Sequence, residues 1–200
     1  NASVDWYHYF GDFQANLLVE GFYTKLSDPF VLTPPVKDPD GSAYLIQTRI
    51  NGSGAKVYGG TLEGKVAYKV QLQAGLTLQR SIYDSPEEWS ADEEHLSEKE
   101  RYSDKILRTP DVYGYFTATY MPVKAFSIAL NGNYTGRMYV PHLLSKVNGE
   151  ADVLVKSPDF FELGTKIAYD FDFQGFCLQL NAGVQNIFNS YQKDFDKGAS

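Results

Sequence analysis

Apolar and polar residues alternate with a period of two along most of the chain. Between residues 126 and 131, Phe126, Ile128 and Leu130 are apolar, whereas Ser127 and Asn131 are polar. Similar alternation runs through residues 58–69, 71–83, 161–173 and 177–184. Because successive side chains of a β-strand point to opposite faces, this pattern predicts strands with one apolar and one polar face. No helical periodicity competes with it, so the fold is predicted to be all-β.

The alternation divides the chain into about eight strands. We predict them at residues 3–10, 14–26, 44–69 with an interruption, 71–83, 110–121, 125–140, 159–173 and 176–187. Most are longer than the strands of soluble proteins, which typically have about 5–6 residues. They reach the length of about 9–11 residues that a tilted strand needs to cross a bilayer. Strands of this length favour a membrane-spanning sheet.

The connections between the predicted strands alternate between short and long. Short turns are expected at residues 11–13, 68–72, 121–125 and 173–176, and long polar loops at 27–42, 84–109 and 141–158. Since consecutive strands of an antiparallel meander run in opposite directions, the turns lie at one end of the sheet and the loops at the other. Outer-membrane β-barrels have this layout, with short periplasmic turns and longer extracellular loops. The sequence therefore predicts an antiparallel meander within a transmembrane β-barrel.

The stretch Asn51–Gly54 is open to two interpretations. As a hairpin turn, it would make residues 44–50 a separate short strand, and the acidic loop at 84–109 would then fall on the short-turn side. As a bulge, it would only interrupt one strand over residues 44–69, because glycines inside strands often mark bulges. The alternation of short and long connections favours the interrupted strand.

The composition narrows the possible function classes. The chain has a formal net charge of −7 and a pI near 4.9. This acidic balance argues against nucleic-acid binding, which needs clustered Lys and Arg. The single cysteine, Cys177, excludes an intrachain disulfide. No apolar stretch is long enough for a transmembrane helix, and the abundance of Tyr and Phe favours strands.

The sequence holds no catalytic, cofactor or metal motif. The three histidines, His8, His95 and His142, lack the spacing of metal ligands. Asp170 and Asp172 approach the separation of glycosidase carboxylates, but charge on the polar face of a strand is ordinary for a barrel lumen. No nucleophile elbow, phosphate loop or dinucleotide fingerprint occurs. The chain is therefore expected not to be an enzyme, and no cofactor or metal is expected.

The acidic loop between residues 84 and 109 carries the candidate ligand contacts. Trp89 and Tyr102 stand there among many carboxylates, and either ring could contact a ligand or cations. The same composition also fits a solvated loop with no binding role, and Pro and Ser residues at its flanks favour mobility. We favour the solvated loop and retain Trp89 and Tyr102 as the ligand-binding candidates.

Three stretches of the chain resemble a known family. They are "AKVYGGTLEGKVAY" at 55–68, "TPDVYGYFTATYMP" at 109–122 and "LNAGVQNIFNSYQKDF" at 180–195. They are similar to the C-terminal barrel of TonB-dependent outer-membrane receptors, with the character of Bacteroidetes-type members. The piece "GVQNIFN" is the most specific, because in that family it ends the penultimate strand. The resemblance identifies residues 1–200 as one C-terminal β-barrel segment that lacks the plug domain and the final strand.

The resemblance implies a segment of a large transmembrane β-barrel of about 22 strands with a plugged lumen. It implies part of an outer-membrane active transporter or receptor that takes up a siderophore, cobalamin or an oligosaccharide, energised through TonB. The implied partners are outer-membrane lipid, TonB, the plug domain of the full-length protein and a small-molecule ligand that the sequence does not identify. Nucleic acid is not among them.

A soluble protein is the alternative interpretation. A β-sandwich or a small closed β-barrel that binds carbohydrate or another ligand also has an apolar face on its strands. Strand length and the asymmetry of the connections favour the membrane barrel. A barrel segment on its own has two open sheet edges and a bare apolar face. The isolated chain is therefore expected either to curl until its first and last strands meet or to self-associate through those edges and faces.

Overall fold

The computed structural model describes residues 1–37, 40 and 45–191. Its first strands are β1 (Ala2–Phe10), β2 (Phe13–Leu26), β3 (Phe30–Leu32), β4 (Val36–Lys37), β5 (Leu45–Ile46), β6 (Arg49–Asn51), β7 (Ala55–Ala67) and β8 (Val70–Glu88). A one-turn helix α1 (Glu98–Arg101) then precedes β9 (Tyr102–Lys105), β10 (Val112–Val123), β11 (Phe126–Thr135) and β12 (Tyr139–His142). A 3₁₀ turn (Leu144–Lys146) leads to β13 (Val153–Lys156), β14 (Phe160–Phe173) and β15 (Phe176–Val184).

Eight of these strands form one antiparallel meander. They lie in the order β1–β2–β7–β8–β10–β11–β14–β15, and β9 pairs with the end of β8. The predicted sheet, in which neighbouring strands pair in sequence order, is therefore confirmed. Among the described residues, no helix is long and apolar enough to cross a membrane.

The register assigns the alternating side chains to two faces. Leu72 lies opposite Ala118, which in turn lies opposite Leu130 on the next strand. Residues directly opposite each other in paired strands share a face, so the predicted apolar face is continuous across β8, β10 and β11. The polar face lies on the other side of the sheet. Its corresponding row is Gln73, Thr117 and Asn131.

The apolar face is uncovered in the described structure. Ala55 and Val140 are the buried hydrophobic residues among those described, whereas Leu62 is 51% exposed and Leu180 is 56% exposed. A β-sandwich would cover this face with a second sheet, but the other sheets of the described chain are two-stranded ribbons. A small closed barrel would pair β1 with β15, and no such pairing occurs within the described residues. The described sheet is therefore neither the predicted alternative sandwich nor a small closed barrel, and its uncovered face is suited to contact with lipid.

Short turns and long loops lie at opposite ends of the sheet, as predicted. The turns are residues 11–12, 68–69, 124–125 and 174–175, whereas long loops connect β2 to β7, β8 to β10 and β11 to β14. We call these ends the turn end and the loop end. The loops contain the ribbons β3–β6, β4–β5 and β12–β13. At the loop end, β8 continues to Glu88, beyond its predicted end at residue 83.

The structure corrects both interpretations of Asn51–Gly54. The hairpin is wrong, because β6 pairs with β3, while β7 pairs with β2 and β8. The interrupted strand lies in the main sheet only from Ala55, since residues 45–51 belong to loop ribbons and residue 44 lies outside the described residues. At the break, Gly54 has a φ of +104°, which glycine adopts without steric cost. The strand predicted at 125–140 is likewise shorter and ends at Thr135.

Side chains on the polar face hydrogen-bond to one another across strands. The Gln73 amide donates to Glu63 at 2.8 Å and to the Tyr115 hydroxyl at 3.1 Å. The Tyr115 hydroxyl donates to the second Glu63 oxygen at 2.6 Å. Polar groups paired in this way suit the water-filled or plugged interior of a barrel.

Candidate ligand-contact site

The structure brings Trp89 and Tyr102 together at the loop end. Tyr102 begins β9 opposite Glu88, the last residue of β8, and Trp89 follows directly. Both aromatic residues line an open cavity of about 820 Å³, together with Lys105, Tyr139 and other residues of the same loops. We call it the aromatic cavity. The two candidates from the sequence thus lie on one surface.

The two aromatic side chains differ in their hydrogen bonds to the rest of the fold. The Trp89 indole N–H donates to the Glu100 carbonyl at 2.9 Å, and the Trp89 backbone N–H donates to the Arg101 carbonyl at 2.9 Å. Trp89 therefore holds α1 in place. Tyr102 is 39% exposed, and its hydroxyl has no hydrogen-bond partner among the described residues. Tyr102 is thus the candidate whose ring and hydroxyl are free to contact a ligand.

A second cavity lies between the long loops on the polar side of the sheet. It has a volume of about 540 Å³ and includes Tyr83, which extends the polar face of β8. Its walls are mainly apolar and also come from residues that sequence reasoning did not select: Leu32, Pro34, Pro35, Leu45, Leu107, Pro141 and Leu143. We call it the inner cavity. Its size falls within the range of about 300–1,000 Å³ that is usual for small-molecule sites.

The loops around these cavities are joined by a buried polar cluster. The Ser90 hydroxyl donates to Asp152 at 2.6 Å, and the Ser145 backbone N–H donates to the other Asp152 oxygen at 2.8 Å. The Asp152 backbone N–H donates to Asp92 at 3.1 Å. Ser90, Asp92 and Asp152 are at most 3% exposed. This loop cluster ties the β8–β10 loop to the β11–β14 loop.

The loop cluster corrects the expectation of a solvated acidic loop. That expectation rested on composition, and it is wrong for the part of the loop that holds Ser90 and Asp92. The partner Asp152 is 60 residues away from Asp92 along the chain, so no local spacing could reveal the pairing. Buried carboxylates that accept several hydrogen bonds hold a loop in one conformation.

His95 and Asp92 have shifted pKa values because they contact each other. Their closest atoms, His95 Nδ1 and Asp92 Oδ1, are 2.9 Å apart. The hydrogen bond with Asp92 raises the pKa of His95 above its ordinary value of 6.5. Burial alone would raise the pKa of Asp92, but hydrogen bonds from the Asp152 backbone and from His95 outweigh it and lower that pKa below 3.8. The contact therefore favours the charged form of both groups.

Removing the Asp152 carboxylate is expected to loosen both loops. In Asp152→Ala, the Ser90 hydroxyl and the Ser145 N–H lose their acceptor in a buried place, at a cost of about 1–3 kcal/mol. Hydrogen exchange of residues 90–96 and 143–146 in the folded protein should report a local opening whose free energy is lower by this amount. Glu150→Ala, an exposed change in the same loop, should leave the exchange unchanged. Equal protection in the two variants would contradict the structural role of the cluster.

The closed state of these loops is expected to depend on pH in a defined direction. The raised pKa of His95 means that its contribution is complete below pH 6.5 and is lost as the pH rises through the raised value. The lowered pKa of Asp92 means that its contribution is complete above pH 3.8 and is lost as the pH falls through the lowered value. Protection of the loop amides from hydrogen exchange should therefore be greatest between pH 3.8 and pH 6.5. His95→Gln should abolish the alkaline decline alone, as measured by exchange corrected for intrinsic rates; a decline that persists would contradict the assignment.

Comparisons with known proteins agree with this architecture. Residues 1–187 match a model of the TonB dependent receptor-like β-barrel family. A comparison with curated proteins found no match. Among solved structures, the chain is similar to the closed form of the ferric-catecholate import receptor Fiu from E. coli K12, with 16% sequence identity and a TM-score of 0.54. The similarity covers 92% of this chain and 22% of that receptor, so the chain corresponds to a segment of the solved barrel.

The fold and the family match lead to the same assignment. One sheet has an uncovered apolar face and a hydrogen-bonded polar face, with turns at one end and loops at the other. This is how the wall of a large outer-membrane barrel is built. The chain belongs to the TonB-dependent receptor-like β-barrel family and is part of a protein of the cell outer membrane.

Proposed function

We propose that the chain forms part of the barrel wall of a receptor that imports a small molecule across the outer membrane with energy from TonB. The observation that supports this most directly is the position of the inner cavity. It lies at the loop end and continues the polar face through Tyr83, so a ligand captured there would stand at the entrance of the lumen. An apolar outer face lets the same segment remain in the bilayer.

The family resemblance supplies the rest of the proposed assembly. Residues 1–200 are the C-terminal barrel segment of a longer receptor whose other parts include a plug domain and a final strand. TonB and the plug are its protein partners, and transport rather than catalysis is its role. The Bacteroidetes type stays a prediction, as does self-association of the isolated segment through β1 and β15, the edges of the described sheet.

The ligand contact is proposed at the two neighbouring cavities. Trp89 lines both of them, and Tyr102 presents its ring and free hydroxyl in the aromatic cavity. Aromatic faces and a few polar groups in concave sites suit cyclic or planar small molecules. The proposed ligand is a siderophore, cobalamin or an oligosaccharide. The structural neighbour is named as a ferric-catecholate import receptor, but 16% identity supports the shared fold and not a shared ligand.

Uptake by cells that carry the full-length receptor tests this function. A strain lacking the receptor is supplied with the wild-type gene, and accumulation of a ferric siderophore, cobalamin and an oligosaccharide is measured separately, with and without TonB. We expect accumulation of one class, lost without TonB. Accumulation that is the same with and without TonB, or absent for every class in wild type, would contradict the proposal.

Two tyrosine variants test the proposed ligand contact of Tyr102 independently of the proposed transport function. Tyr102→Ala should weaken uptake at low ligand concentration by about two- to tenfold, because an aromatic contact contributes about 0.5–1.5 kcal/mol. Tyr68→Ala removes an exposed tyrosine at the turn end and should leave uptake unchanged. If the two variants behave alike while uptake stays TonB-dependent, Tyr102 has no ligand role and the transport proposal survives.

A further inference from the structure

Arg108 has an unusual backbone conformation. Its φ is +56°, in the left-handed region that residues with long side chains rarely adopt. Among the described residues, the other non-glycine residues with a positive φ are Asp28, Asn186 and Asn189. Asp and Asn tolerate this region because their short side chains bond to the local backbone. An arginine therefore stands where asparagine or glycine would be less strained, and such strain occurs mainly at functional sites.

The segment that carries Arg108 is held in place on both sides. The Arg108 backbone N–H donates to the Tyr139 carbonyl at 2.8 Å and connects the segment to β12. On the other side, the Gln79 side-chain amide donates to the Pro110 carbonyl at 3.0 Å and connects it to β8. These bonds hold the strained conformation, and Arg108 therefore keeps its place in the wall of the inner cavity.

The two carboxylates of the inner cavity already have partners within the protein. They belong to Glu87 and Glu88. Glu88 accepts a hydrogen bond from the Arg101 guanidinium at 2.7 Å. Glu87 accepts one from the Ser53 backbone N–H at 2.7 Å. Neither carboxylate forms an ion pair with a cation of the cavity.

The two cations of the inner cavity differ in their surroundings. Lys105 Nζ lies 4.7 Å from the centre of the Tyr139 ring, within the range of a cation–π contact. Arg108 is exposed, and within the described part of the chain its guanidinium has no ion pair, hydrogen bond or ring contact. The Arg108 guanidinium is thus the charged group of this cavity that is left for a ligand.

The walls beside Arg108 are apolar. Leu107 precedes it and lines the same cavity, as do Pro141 and Leu143 of the β11–β14 loop. Such walls favour a ligand with an apolar part, because contact removes apolar surface from water. The unpaired guanidinium favours an anionic group on the same ligand. A carboxylate suits it best, since the planar guanidinium donates two parallel N–H bonds to the two carboxylate oxygens.

We propose that Arg108 determines the specificity of the inner cavity by binding a carboxylate of the imported ligand. The apolar part of that ligand packs against Leu107, Pro141 and Leu143. This inference rests on the proposed function, in which the inner cavity lies at the entrance of the lumen. It narrows the ligand to a molecule that carries both a carboxylate and an apolar part.

Binding of two matched probes to the full-length receptor in lipid nanodiscs tests this assignment. Naphthoate has a planar apolar body and one carboxylate, and naphthamide has the same body with a neutral amide. Arg108→Asn removes the guanidinium and keeps a residue that tolerates the positive φ. Its matched control is Arg49→Asn, the same change at an exposed arginine of β6 that does not line the inner cavity. Equilibrium dialysis measures the affinities, corrected for binding to empty nanodiscs.

The expected result is a loss of selectivity in one variant. Wild type and Arg49→Asn should bind naphthoate about tenfold more tightly than naphthamide, because hydrogen bonds between charged groups contribute at least this factor. Arg108→Asn should bind both probes equally, with its affinity for naphthamide unchanged. Damage to the cavity would instead weaken naphthamide as well. The same selectivity in Arg108→Asn and wild type would overturn the proposal, and so would wild-type binding of neither probe or of both equally.

Uptake measured with and without TonB separates this inference from the proposed function, because it does not depend on either probe. TonB-dependent uptake together with unselective probe binding would overturn the role of Arg108 alone. Selective probe binding together with uptake that is independent of TonB would overturn the transport function alone. Arg108 would then remain the carboxylate-binding residue of the inner cavity.

Discussion

Replacing Leu130 with arginine is expected to lower the free energy of unfolding of the barrel by about 2–4 kcal/mol in lipid vesicles. Leu130 lies in the middle of β11, and its register partner Ala118 lies on the same apolar face. A guanidinium at this depth must leave water for hydrocarbon or deform the bilayer around it. The measurement is denaturant unfolding of the full-length receptor, refolded into vesicles.

A change on the other face of the same strand serves as the control. Asn133→Arg places the same group on the polar face, where Asn133 is exposed and lies opposite Tyr115. This variant should unfold within about 1 kcal/mol of wild type, because the lumen offers water or polar contacts. If the two arginine variants cost the same, the assignment of the faces is wrong.

Replacing Gly59 with alanine is expected to disturb the pairing of β7 with β8. A Cβ at this position would lie 2.2 Å from the Leu78 carbonyl oxygen and 2.8 Å from the Gln79 Cα. Both of these atoms belong to the backbone, so no side-chain rotation can relieve the contact. Overpacking typically costs about 1–3 kcal/mol, and we expect the upper end of that range in the same unfolding measurement.

Gly64→Ala is the matched control for the change at Gly59. Gly64 lies in the same strand, and a Cβ built on it meets no heavy atom within 4 Å. Since alanine also restricts the unfolded chain, this variant should be neutral or more stable by about 0.4–1 kcal/mol. A Gly59→Ala barrel as stable as the Gly64→Ala barrel would show that β7 and β8 do not approach as closely as described.

The sheet itself could be predicted from the sequence because its signal is local. The alternation at Phe126, Ile128 and Leu130 can be recognised from neighbouring residues alone, and it predicted a strand with one apolar and one polar face. The short turns at 68–69 and 174–175 then required sequence-order antiparallel pairing. The family was indicated separately, by the resemblance of "GVQNIFN" to known members, and the features of the sheet needed no such comparison. All of these features depend on contacts along one strand or across one turn, where the period of two leaves little choice.

The loop end was decided by the tertiary structure. Composition made residues 84–109 look solvated, but Asp92 is buried against Asp152. Likewise, alternation could not show that residues 45–51 pair with residues 30–37 in loop ribbons. A short extended segment fits such a ribbon and the main sheet equally well. Trp89 and Tyr102 could be selected as aromatic residues, but their shared cavity depends on the pairing of β8 with β9. The physical reason is that these contacts join segments far apart in the chain. Their energy comes from burial, which cannot be recognised in a local sequence pattern.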